Sequence, residues 1–200
     1  MVARAGAELS LVNSAREAGL VECRRTIRSA GSAIRAVHRL DPGAADDLIS
    51  ESQGHLRSAQ EALAPFPMVA YAGFLHDAEK EYCEAVLTRA LVEGTHLPDH
   101  LECQVSVPAW LNGLAEAGSE LRRHLLDRLR MGETDRAEGL LEAMEDVYES
   151  LVTVDFPDAV TGGLRRTADA LRAVLERTRS DVTTTLMQLR LQAALQQRDL

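Results

Sequence analysis

The chain has 200 residues, of which 46% are hydrophobic and only 4% aromatic, and its formal net charge is −9. This length and apolar fraction suit one domain with a sizeable core, and the scarcity of aromatic and β-branched runs favours an all-helical fold. The net negative charge argues against nucleic-acid binding by the surface as a whole, although it leaves room for a local basic patch.

Turn residues divide the chain into six predicted helical segments within a single domain, 1–200. The segments cover residues 7–40, 44–63, 68–93, 108–132, 134–154 and 158 to the end. The stretch 95–107, which contains Pro98, is predicted to be a loop before the fourth segment. Thr134 is expected to cap the fifth helix through its hydroxyl group, and Gly162-Gly163 stands near the start of the last.

The first helix carries two stripes of residues at three- and four-residue spacing. The apolar stripe predicts the buried face and comprises Leu20, Cys23, Ile27, Ala30, Ile34 and Val37. A second stripe, within roughly 60° at about 100° per residue, comprises Arg24, Arg28, Arg35 and Arg39. These arginines could be a solvated face paired with acidic neighbours or a surface that binds phosphate.

Apolar residues recur at the same spacing in the last helix, from Leu164 to Ala193. This stripe is longer than a small bundle usually needs, so it predicts burial in the core or against another subunit. No run of about 18 apolar residues is present, and the first residues lack the apolar core of a signal peptide. Three cysteines without Cys-x-x-Cys spacing predict neither a disulfide framework nor a zinc site. We therefore expect a reduced, cytoplasmic protein without a membrane partner.

Two pairs of glutamates could bring carboxylates together on neighbouring helices. Glu81 and Glu84 are three residues apart, and Glu116 and Glu120 are four apart, so each pair lies on one helix face. Together they could hold Mg²⁺ or Mn²⁺, which prefer oxygen ligands. Surface glutamates give the same pattern and are more common. Gly113, one turn before Glu116, would let a backbone or a ligand approach closely.

Three segments of the chain resemble the translin/TRAX family, in the family's order and within a likeness over about residues 25–190. His38–Ser52 is similar to a His-Arg-hydrophobic run that leads to a Ser-Glu-Ser element. Glu81–Val86, with the sequence EYCEAV, resembles the Glu-Tyr-x-Glu-Ala of TRAX. Val107–Arg123 resembles the TRAX segment with proline, an aromatic residue, Leu-x-Gly and an acidic residue. The resemblance points in particular to the TRAX-like archaeal members.

This resemblance implies an all-α, translin-like bundle of about six to seven helices, which assembles as a homo-octamer into a hollow barrel around nucleic acid. It also implies a Mg²⁺-dependent endoribonuclease site of acidic residues on two helices. Carried over by motif, the catalytic and metal-binding residues are Glu81, Glu84, Glu116 and Glu120. Position 116 is commonly Asp in TRAX, so Glu116 departs from the family pattern by one methylene group.

In this family, basic residues inside the barrel hold the RNA backbone. The candidates here are Arg24, Arg28, Arg35 and Arg39 and, near the carboxylates, Arg89, Arg122 and Arg123. We therefore expect cleavage of single-stranded or flexible RNA with Mg²⁺ or Mn²⁺ as cofactor. One alternative is a non-catalytic single-stranded RNA- or DNA-binding protein of the translin type, which the four carboxylates argue against because they repel phosphate. Another is a helical scaffold that binds no nucleic acid.

Overall fold

The structure is a computed structural model, and it describes residues 1–198. Within this range the chain forms eight α-helices and no strand, which confirms the predicted all-α fold. The helices are α1 (Val2–His38), α2 (Pro42–Leu63), α3 (Pro67–Ala70), α4 (Phe74–Glu93), α5 (Val107–Arg130), α6 (Thr134–Val152), α7 (Asp158–Thr161) and α8 (Leu164–Arg198). The predicted extension of the last helix to the end of the chain lies outside the described residues. Among residues 1–198, none of the helices combines the length and apolarity that a bilayer crossing requires.

Local chemistry explains where the helices around the site begin and end. Asp41 caps α2, because its Oδ1 accepts a hydrogen bond of 3.1 Å from the backbone N–H of Ala44, and Pro42 suits the first turn. Gly94 ends α4 in the left-handed conformation, with φ of 66°. The helix breaks predicted at these two positions are therefore confirmed.

Three local predictions are wrong. The segment predicted from 158 to the end is not one helix, because Gly162 and Gly163, both with positive φ, separate α7 from α8. The third helix is not continuous, since α3 ends at Ala70 and α4 begins only at Phe74, after Gly73 with φ of 101°. A residue at this φ cannot continue a right-handed helix, and glycine adopts it without strain. Thr134 is the first residue of α6 rather than its cap, because Glu133 takes the cap position and no side chain caps the helix there.

The six long helices pack around one core, with α4 and α5 at its centre. Helix α4 contacts α1, α2 and α5, and α5 in turn contacts α6 and α8. On α1 the predicted apolar stripe faces this core: Cys23, Ala30 and Val37 are buried, and Ile34 is 9% exposed. The helices that carry the predicted glutamates are therefore held from both sides.

The two longest helices extend beyond this packed body. The predicted stripe of α8 is buried from Leu164 to Val182, which confirms the core interpretation for that part. Leu189 is 42% exposed, and other apolar side chains at this end of α8 are exposed as well: Met187, Leu191 and Leu195. Leu9 and Leu11, near the start of α1, are also exposed. The ends of α1 and α8 therefore present apolar side chains that the described residues of the chain do not cover.

Candidate metal centre

Gly113 brings α4 and α5 into close contact at the candidate site. A Cβ placed on Gly113 would lie 2.7 Å from the Cβ of Cys83 and 2.9 Å from the carbonyl oxygen of Lys80. Any side chain here would push the two helices apart, so only glycine fits. The prediction that Gly113 admits a close neighbour is confirmed, and that neighbour is the backbone of α4.

This contact brings three of the four predicted glutamates together. Glu81 and Glu84 of α4 and Glu116 of α5 each offer one carboxylate oxygen, and these oxygens lie within 4.8 Å of one another. Opposite ligands of Mg²⁺, each at about 2.1 Å, are about 4.2 Å apart. Small side-chain adjustments would therefore let the three oxygens share one ion. The longer side chain of Glu116 does not keep it out of the cluster.

Glu84 is the buried member of this cluster, with only 9% of the residue exposed. Burial raises the pKa of Glu84 to about 8, and the charges of Glu116, Glu81 and Glu120 add to the effect. With no metal ion bound, the Glu84 carboxyl group is thus mostly protonated at neutral pH, even though the nearby charge of Lys80 opposes the rise in its pKa. A divalent cation beside it would favour the ionised form, because opposite charge lowers the pKa of a carboxyl group.

Lys80 supplies a positive charge to the cluster that the sequence patterns did not predict. Its Nζ lies 2.7 Å from Oε1 of Glu116 and 3.4 Å from Oε1 of Glu81. Burial lowers the pKa of Lys80, but the hydrogen bond and charge of Glu116, with those of Glu81, outweigh burial and raise it. The only sequence signal is that the single lysine of the chain directly precedes Glu81.

Glu120, the fourth predicted ligand, lies at the edge of the cluster rather than within it. Its Oε2 shares a hydrogen bond of 2.7 Å with Nε2 of His38 in α1. The side chain of His38 is 2% exposed, so this bond is largely screened from water. In the sequence, His38 stands out only as part of a family motif, and no pattern indicates its contact with Glu120.

The arginine stripe of α1 is free of ion pairs within residues 1–198. Its four members are exposed: Arg24, Arg28, Arg35 and Arg39. Arg35 donates one hydrogen bond, to Ser32. At about 100° per residue, Arg35 and Arg39 lie roughly 60° and 100° around α1 from His38, whose ring reaches Glu120. Arg35 and Arg39 therefore lie on the same side of α1, at the end of the helix where His38 contacts Glu120.

The other three predicted arginines differ in their surroundings. Arg89 contacts Asp46 at 3.1 Å and also pairs with Glu93. Arg122 forms an ion pair of 2.7 Å with Asp181 of α8. Arg123 is exposed and, in the described part of the chain, has no acidic partner.

A depression of about 690 Å³ lies beside Glu120 on the surface of α5. Its basic lining consists of Arg122, Arg123 and Arg130, and Arg130 is a residue that sequence reasoning did not single out. Arg130 is 77% exposed and contacts Asp127 on the same helix. Positive side chains thus lie beside Glu120 on the surface of α5.

Comparison with known proteins relates nearly the whole chain to proteins of known structure. No protein-family model matches it. Two structures of AfC3PO are similar to this chain, each with a TM-score of 0.85 and 29% sequence identity over 93% of this chain. The match covers 96% of the AfC3PO chain in its complex with duplex RNA and 97% of the chain in the other structure. Apo-NeC3PO shares the fold, with a TM-score of 0.83 and 18% identity over 92% of this chain and 96% of its own. The uncharacterized protein MJ0175 of Methanocaldococcus jannaschii is 29% identical over 185 residues, which are 92% of this chain and 82% of that protein.

Proposed function

The chain belongs to the translin/TRAX family, and on this basis we propose that it is a metal-dependent endoribonuclease that cleaves RNA inside a closed homo-oligomer. The observation that carries the proposal is the convergence of Glu81, Glu84 and Glu116 within 4.8 Å, on two helices that meet at Gly113. Acidic residues on these two helices are the catalytic positions that the family resemblance implies.

The proposed cofactor is Mg²⁺ or Mn²⁺, with Glu81, Glu84 and Glu116 as its ligands. Bound there, such an ion would activate a water molecule and offset the charge that develops on the phosphate. Glu84 would provide the buried, fixed ligand, whereas the side chains of Glu81 and Glu116 are 30% and 31% exposed and leave the cluster open to substrate. Glu120, one turn from Glu116, completes the proposed catalytic set from the edge of the cluster.

The proposed role of the free arginines is to hold the RNA backbone. A guanidinium group can bind two phosphate oxygens at once, and contacts of this kind are salt-dependent and carry little sequence information. The arginine stripe of α1, with Arg123, meets this need because its members are exposed. Arg89 and Arg122 would have to give up Asp46 and Asp181 before they could bind phosphate.

Single-stranded or flexible RNA is the proposed substrate, although the AfC3PO neighbour is a complex with duplex RNA. Both kinds of RNA therefore belong in the test. A homo-octameric barrel is proposed by analogy with the family, and the apolar ends of α1 and α8 would supply contacts between subunits. A cytoplasmic location stays a prediction.

An RNA-cleavage assay tests the proposed activity. Labelled single-stranded and duplex RNA would be incubated with the wild type, Glu84→Gln, and the matched control Glu142→Gln, an exposed glutamate of α6. We expect the wild type and the control to cut RNA with Mn²⁺ or Mg²⁺ and to stop in EDTA, and Glu84→Gln to bind RNA without cutting it. A wild type that binds RNA but never cuts it would favour the non-catalytic translin-type binder. Absence of RNA binding at low salt would favour a helical scaffold.

A further inference from the structure

We propose that Lys80 is a built-in competitor of the metal ion: its ammonium group occupies the glutamate cluster in the metal-free protein, and a divalent ion must displace it. The inference deepens the proposed function and rests on the metal site that belongs to it. It assigns Lys80 the role of setting the metal concentration at which the site fills.

The ammonium group of Lys80 lies where a metal ion bound by the cluster would have to be. Nζ of Lys80 lies within 3.4 Å of both Glu81 and Glu116, two members of the cluster. An ion shared by the same carboxylates would lie at about 2.1 Å from their oxygens and so within a few ångströms of Nζ. At that separation two positive charges repel strongly in a partly buried site. The ammonium group and a divalent ion therefore exclude each other.

Lysine suits this position better than arginine. The chain has a single lysine, and its other permanently charged basic residues are arginines. This lysine lies beside the cluster of carboxylates. An ammonium group is a compact point charge with three donors, whereas a guanidinium group is a wide planar fork. Lysine thus mimics a small cation among converging oxygens better than arginine would.

The charges of the cluster also favour replacement of Lys80 by a divalent ion. Without Lys80, the carboxylates of Glu81 and Glu116 would face each other with no counter-ion from within residues 1–198. The ammonium group offsets only one of their two negative charges, so an ion that replaces it gains only if it brings more than one positive charge. Divalent ions meet this condition and Na⁺ or K⁺ do not, so the same contact favours divalent over monovalent ions.

Isothermal titration calorimetry of the 200-residue chain with Mn²⁺ alone, without RNA, tests the inference. The variant Lys80→Met keeps the length of the stem and removes the charge. The control Arg179→Met removes an equal charge from a cross-helix ion pair of 2.6 Å between α8 and Glu145. Should Lys80→Met fail to fold, Lys80→Gln makes the same comparison with a neutral polar side chain.

We expect Lys80→Met to bind Mn²⁺ roughly tenfold more tightly than the wild type, the order of effect of one partly buried ion pair. Its melting temperature without metal should fall, and its rise on adding Mn²⁺ should exceed that of the wild type. Arg179→Met should keep the wild-type dissociation constant for Mn²⁺.

Unchanged or weaker Mn²⁺ binding by Lys80→Met would overturn the inference, because a lysine that only joins the two helices would stabilise the protein without opposing the ion. That result would leave the proposed function intact if the wild type still cuts RNA. Tighter Mn²⁺ binding in a protein that never cuts RNA would support the inference and contradict the proposed function. Absence of Mn²⁺ binding in both proteins would contradict both.

Discussion

Gly113 of α5 packs so closely against α4 that the carbonyl oxygen of Lys80 lies 2.9 Å from the point where a Cβ would stand. Glu116 follows Gly113 by one turn, and Glu84 follows Lys80 by one turn. The spacing between the two backbones at this glycine therefore sets the distance between the carboxylates of the candidate site.

Gly113→Ala is expected to disturb both stability and metal binding. The added methyl group meets the backbone of α4 rather than a movable side chain, so the helices must separate. We expect the free energy of unfolding to fall by about 1–3 kcal/mol, the usual range for overpacking, and Mn²⁺ binding to weaken. Chemical denaturation and titration calorimetry measure the two effects.

Gly139→Ala is the matched control for this substitution. Gly139 lies within α6, and a Cβ placed there meets nothing within 4 Å. Alanine should stabilise this exposed helix position by about 0.5–1 kcal/mol. If Gly113→Ala matched this gain, the close approach of α4 and α5 would not require glycine.

The raised pKa of Glu84 predicts a specific pH dependence of stability. The folded protein keeps the Glu84 proton up to a pH of about 8, whereas the unfolded chain releases it near the ordinary value of 4.5. The folded state thus binds more protons between these values, so Glu84 lowers stability progressively as pH rises through this window and has no further effect above it. In EDTA, Glu84→Gln should therefore gain stability relative to the wild type as pH rises from 4.5 to 8. Melting temperatures of both proteins would be measured across this range in EDTA. If the difference between Glu84→Gln and the wild type stayed constant, the pKa of Glu84 would not be raised by folding.

Binding of Mn²⁺ is expected to expel the Glu84 proton. At about pH 7, below the pKa of about 8, the wild type should release roughly one proton per bound ion. The apparent affinity for Mn²⁺ should rise with pH towards that pKa. Titration calorimetry in two buffers of different ionisation enthalpy counts the protons, and Glu84→Gln should release fewer. A wild type that releases none would place Glu84 outside the ligand set.

The exposed arginines of α1 are expected to control the salt dependence of RNA binding. Arg35 and Arg39 are the two closest along the helix to His38, and both are exposed. Replacing both with alanine should weaken RNA binding and reduce the slope of log affinity against log salt by about 0.7–0.9 for each lost phosphate contact. Arg172→Ala, which removes an exposed arginine paired with Glu176, should keep the wild-type slope. Equal slopes in all three proteins would remove the α1 stripe from the RNA-binding surface.

Much of the fold could be predicted because its signals are local. Asp41 caps the helix that follows it and Gly94 ends the helix that precedes it, and each effect depends on neighbouring backbone groups alone. Helical spacing likewise located the buried stripe of α1. The break before Phe74 could not be predicted, because a single glycine is tolerated within a helix and the sequence does not reveal that Gly73 has a positive φ.

The detailed arrangement of the site depended on contacts that helical spacing does not determine. Lys80 and Glu116 are 36 positions apart, and His38 and Glu120 are 82 apart. Whether such side chains meet depends on the rotation and offset of whole helices around the core. Helical spacing predicts that each glutamate pair lies on one helix face. It does not predict that Glu120 forms a hydrogen bond with His38 while the other three carboxylates cluster.

Anomalous diffraction from crystals soaked in Mn²⁺ tests most directly whether Glu81, Glu84 and Glu116 form a metal site. We predict an anomalous peak about 2 Å from a carboxylate oxygen of each of these glutamates, with the Lys80 ammonium group withdrawn from Glu116. A map at saturating Mn²⁺ with no peak there, and with Lys80 still 2.7 Å from Glu116, would contradict the account.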